Sequence, residues 1–102
     1  MTQKLKFKGR PIYLNGQNYY IPSLSTVQFE ANAEFLAAGV PEDTPPAKAA
    51  RWFHPVILLA LQRNYPELTL EDLGNWLDLD STSEALNALT GASKLERVAE
   101  GE

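Results

Sequence analysis

The sequence predicts an α+β fold, mainly α, in which one N-terminal β-hairpin packs on three to four helices. Three observations carry that expectation. Apolar and aromatic residues flank an Asn15-Gly16 pair in "PIYLNGQNYYIP", the strongest short-range hairpin signal. Serine and threonine caps then precede runs whose apolar residues recur at helical spacing. Prolines and glycines fall between those runs, where one element must end and the next begin. A chain of 102 residues is long enough for a single core and short for two. One compact domain over 1–91 is therefore expected, with a flexible tail over 92–102.

The hairpin is expected over 4–21. With Asn15 and Gly16 as the two turn residues, Leu14 faces Gln17 and Ile12 faces Tyr19. Ile12, Leu14, Tyr19 and Ile21 then share the side that meets the helices. Upstream, Lys4, Lys6, Lys8 and Arg10 alternate with Leu5 and Phe7, the pattern of a strand whose charged outer face keeps neighbours away.

Pro22 ends the hairpin, and Ser25-Thr26-Val27-Gln28 has the form of a capping box. A first helix is predicted over 26–38. Phe29, Ala33 and Leu36 form one apolar stripe and Val27, Ala31 and Phe35 another, so this helix is apolar over a wide arc. Gly39 supplies its cap and Pro41 prevents continuation.

Thr44 is placed to cap a second helix over 45–64, whose first turn tolerates Pro45 and Pro46. Trp52, Phe53, Val56, Ile57, Leu58, Leu59 and Leu61 surround its axis, which makes it the central element. Pro55 requires either a kink in this helix or a split into a short and a longer piece. Tyr65-Pro66 ends it. Thr69 caps a third helix over 70–78, with Glu71 and Asp72 in the first turn, where the helix dipole favours negative charge. Leu70, Leu73 and Leu77 form its buried stripe, flanked by Trp76. A last helix over 82–90 is expected behind a Ser81-Thr82-Ser83-Glu84 capping box, with Leu86 and Leu89 inward and Gly91 at its end.

Composition narrows the function. There is no cysteine, hence no disulfide framework and no thiolate metal site. No apolar run in the sequence reaches the roughly 20 residues of a membrane span, and a soluble, cytoplasmic protein with no membrane partner is expected. The formal charge is −4, but from Pro11 onward five basic residues stand against 13 acidic ones. Such a surface repels phosphate, so nucleic-acid binding would rest on Lys4, Lys6, Lys8 and Arg10 alone and is not the expected role.

No catalytic pattern is present. His54 is the only histidine, with no nucleophile or acid at a spacing that makes a triad, and a packing or helix-bend role is expected for it. Asp78, Asp80, Thr82 and Glu84 open like a calcium loop, yet Leu89 stands where the twelfth-position glutamate belongs. No enzymatic activity, cofactor or metal is expected. Ten aromatic residues, Trp52, Phe53, Tyr65 and Trp76 among them, either fill the core or form a contiguous exposed patch for a protein partner.

Two segments carry a family resemblance. "ALQRNYPELTLEDLGNWLDLDSTSEALNALTGAS" resembles the C-terminal half of tail assembly chaperones of long-tailed bacteriophages, in which a helix ends in Arg-Asn-Tyr-Pro before an acidic capped helix and a leucine-alanine helix. "LNGQNYYIPSLSTVQFE" is similar to that family's opening, a Gly-x-x-Tyr hairpin running into Ile-Pro-x-Leu-Ser. The two occur in the family's order and cover about half the chain. Pro55 and the proline-rich linker depart from the family pattern. The resemblance implies a chaperone, of phage or prophage origin, that coats the helical tape-measure protein, recruits tail-tube subunits and leaves before the particle is complete, with self-association also possible. Phe53, Arg63, Tyr65 and Trp76 are the residues expected to serve protein binding, Arg63 by orienting the turn. The alternative is a permanent virion component, such as a head-tail joining or minor tail protein.

Overall fold

A computed structural model describes residues 5–90. Strands β1 (Arg10–Leu14) and β2 (Gln17–Ile21) form an antiparallel hairpin, and five helical segments follow: α1 (Thr26–Ala38), α2 (Pro46–Ala50), α3 (His54–Gln62), α4 (Leu70–Trp76) and α5 (Leu79–Thr90). The fold is α+β and mainly α, as the sequence predicts. Lys4, expected in the hairpin, the helix end expected at Gly91 and the tail expected over 92–102 lie outside the described residues.

The hairpin turns on Asn15 (φ 50°) and Gly16 (φ 83°), the pair of positive φ angles that a type I′ turn needs. Ile12 faces Tyr19 and Leu14 faces Gln17, the predicted register. Ile12, Leu14, Tyr19 and Ile21 are buried, with β1 against α5 and β2 against α3 and α5. Among the described residues the strand does not extend back through residues 5–9. Residues 5–9 lie outside the ladder, and β1 starts at Arg10. Lys6 and Lys8 still face outward while Leu5 and Phe7 are half-buried. The cause is Gly9: a Cβ there would sit 2.6 Å from the carbonyl carbon of Ile21, so the chain crosses the end of β2 where only glycine fits.

α1 begins and ends where predicted. The Ser25 hydroxyl accepts from the Gln28 amide (3.1 Å) and the Gln28 side chain accepts from the Ser25 amide (3.1 Å), while Gly39 (φ 70°) closes the helix.

The single helix expected over 45–64 is two helices. Pro55 has no amide hydrogen and its ring excludes the carbonyl four residues back, so it is tolerated only in a first turn, and α3 restarts at His54 with Pro55 in that turn. Between the two, Trp52 donates to Ala49 and His54 to Arg51 in tight turns. Thr44 does not cap α2. The N-cap is Pro45, which has no side-chain cap bond, and the Thr44 amide donates to Pro41 instead.

α3 is the central element, with Val56, Ile57, Ala60 and Leu61 buried against α4 and α5. Thr69 and Asp72 form a capping box at α4, which stops at Trp76 rather than 78 because Leu77 is extended (ψ 138°). That lets Asp78 open α5 early. Asp78 Oδ1 accepts from the Ser81 amide (2.8 Å), and Ser81 Oγ accepts from the Asp78 amide (2.9 Å). The expected start at 82 is therefore corrected to Leu79, and the cap is Asp78…Ser81 rather than Ser81…Glu84. Aspartate and serine cap about equally well, and the earlier pair gains a turn of helix. Ala85, Ala88 and Leu89 are buried, while Leu86 packs half-buried at the edge of the core.

Candidate protein-binding surface

The Arg63-Asn64-Tyr65 run leaves the end of α3 beneath the hairpin, and each residue holds a different part of it. The Asn64 carboxamide Oδ1 accepts from the Phe7 amide (2.8 Å), and its Nδ2 donates to the carbonyls of Phe7 and Tyr20 (3.0 Å each). A side-chain amide thus supplies the partners a further strand would have given to residues 5–9. The Tyr65 hydroxyl accepts from the Tyr20 amide (2.9 Å), and burial pushes its pKa above the usual phenol range. Arg63 donates to the Ser23 carbonyl and lays its guanidinium over the Phe7 ring, 3.9 Å from the centroid, a cation–π contact.

The four residues expected to bind protein do not form one patch. Tyr65 is 5 % exposed and meets Tyr19 edge to face at 5.0 Å, while Trp76, half-buried, stacks on Tyr19 at 5.5 Å. That cluster fastens the hairpin to α4. Phe53 belongs to a second cluster, where Phe35 of α1 meets Phe53 edge to face (5.5 Å) and stacks on Trp52 (5.9 Å). Arg63 sits at the turn after α3, where it bonds Ser23 and covers the Phe7 ring.

The second cluster opens to solvent. A groove of about 490 Å³ is lined by Asn32 and Phe35 of α1, Trp52, and Pro55, Val56 and Leu59 of α3. Asn32 is its only polar side chain apart from the indole nitrogen of Trp52, which is buried with no hydrogen-bond partner among the described residues. Above the groove lies α1, none of whose residues is buried. Val27 is 74 % and Phe29 45 % exposed. A helix apolar over so wide an arc normally belongs inside a protein, and here it lies on the outside. The signal for this surface, the double stripe of α1, is present in the sequence. What marks it as uncovered is the structure.

His54, 6 % exposed, borders a smaller cavity of about 240 Å³ with Arg51, Gly74, Asp78 and Thr82. Burial, and then the Arg51 charge, hold its pKa below the ordinary 6.5. Among the described residues no group of acidic or histidine side chains could hold a metal ion, and no helix is long and apolar enough to cross a membrane. No protein-family model matches the chain, and neither a curated protein nor a solved structure matches it.

Proposed function

We propose that this chain is a tail assembly chaperone of a long-tailed phage or prophage, acting in the bacterial cytoplasm to bind the tape-measure protein and recruit tail-tube subunits during morphogenesis. The observation that carries the reading is the uncovered apolar helix α1 beside an open apolar groove, the kind of surface that receives one face of an amphipathic helix. The two segments that resemble the family add support. They meet in space, because Arg63, Asn64 and Tyr65 of one bond Ser23 and Tyr20 of the other. The role requires no catalysis, cofactor or nucleic acid.

The test is to tag the protein, induce or infect, and blot for it in tape-measure pull-downs and in purified particles. Capture of the tape-measure protein together with absence from finished particles is the expected result. A fixed copy number in the particle would overturn the chaperone in favour of a structural virion component.

A further inference from the structure

Between Arg10 and Lys48 the chain has no lysine or arginine. Within that stretch Glu30 and Glu34 are exposed on α1, and Glu42 and Asp43 are exposed just after it. Their placement follows from helical spacing. Val27, Ala31 and Phe35, four residues apart, form one stripe that runs from exposed surface into the groove. Glu30 and Glu34 stand three residues on from Val27 and Ala31, so they are surface neighbours of that stripe. An acidic row thus borders an apolar track of about 12 Å, from Val27 to Phe35, that leads into the groove.

We propose, resting on the helix-binding reading above, that this track takes a helix of another protein whose apolar stripe is flanked by lysine and arginine. The groove desolvates the stripe and the glutamates face the basic flank, which selects among helices of similar hydrophobicity. A second copy of this chain is the poorer occupant, because pairing α1 with α1 would set Glu30 and Glu34 against their own equivalents, and like charges at such an interface are unfavourable.

Two synthetic helices of about 18 residues, long enough to hold helical structure, test this on the intact protein. Both carry the same leucine stripe, one with lysine and arginine flanks and the other with glutamate flanks. Calorimetric titration should find the basic helix bound about tenfold more tightly, with the preference shrinking as salt is raised. Glu30→Lys combined with Glu34→Lys, both at exposed positions, should reverse the preference. Asn32→Arg, which fills the groove with a long cation, should abolish binding of either helix without lowering the unfolding temperature.

Equal binding of the two helices overturns the charge preference and leaves the helix-binding reading standing. Binding of neither overturns both. Concentration-dependent dimerisation in sedimentation that Asn32→Arg abolishes overturns the inference in favour of a second copy in the groove.

Discussion

Replacing Asn64 by leucine keeps the branched shape of the side chain while removing three hydrogen bonds at once, from the amide of Phe7 and to the carbonyls of Phe7 and Tyr20. The backbone groups left behind have little else to bond, so the cost should be about 3 kcal/mol, read as a fall in Tm of roughly 12 °C or more. Tyr65→Phe should cost less, about 1 kcal/mol, because it removes a single acceptor and keeps the ring against Tyr19. None of the Asn64 role is legible in the sequence. An asparagine before Tyr-Pro reads as turn chemistry, and its partners lie 57 and 44 residues away. The same blindness applies to Gly9, whose requirement appears only where it meets Ile21. His54 yields a pH prediction. Its folded pKa is held down by burial and by Arg51, so the unfolded chain binds the proton more readily. Stability should be full above the ordinary 6.5 and fall as pH drops from there through the folded pKa. Thermal unfolding followed from pH 7.5 to 5.5 checks this, and in His54→Leu, which removes the only histidine, the dependence over that range should flatten.

Helix ends were the most legible feature at the level of elements, because caps are local: four residues contain both partners. The Ser25…Gln28 box and the Thr69 cap formed where the sequence places them, and Asp72, expected only as a first-turn charge, completes a box with Thr69. Where the reading missed, two signals of the same kind competed. Asp78…Ser81 and Ser81…Glu84 have the same spacing, and the outcome turned on Leu77 becoming extended, a matter of how α4 packs. Asp78→Ala should therefore lower the midpoint of chemical denaturation, whereas Glu84→Ala, at the exposed position of the unformed box, should change stability by less than about 0.5 kcal/mol. Ser81 holds the Asp78 carboxyl below its ordinary 3.8, so the cap should persist through mild acid and be lost as pH falls through that lowered value. Pro55 was legible as a break and not as to its kind, since a kink and a split obey the same steric rule and differ only in how Trp52 and Phe53 pack.

Seen whole, the described chain is a body with an appendage. The hairpin, the segments joining elements, α3, α4 and α5 supply every buried apolar residue, while α1 and α2 supply none. Regions with few buried contacts open at low free energy, so α1 amides should exchange with deuterium at least about tenfold faster than those of α3. Addition of the basic-flanked helix should slow α1 selectively. The sequence offered Phe53, Arg63, Tyr65 and Trp76 as the binding residues. Within the chain Tyr65 and Trp76 meet Tyr19 of the hairpin, and Phe53 meets Phe35 of α1. Whether a large side chain faces inward or outward depends on what α1 leaves uncovered, and no window of local sequence contains that.

The bonds from Asn64 and Tyr65 to the hairpin also set a schedule. Tyr65 is made 45 residues after Tyr20, which at roughly 5–20 residues per second means about 2–9 s of translation. During that interval the nascent hairpin lacks its fasteners, and until Trp52 and Phe53 emerge α1 lacks the rings it rests on. The ribosome therefore releases this domain's apolar arm before the body that carries it, and a partner translated nearby would meet the arm first.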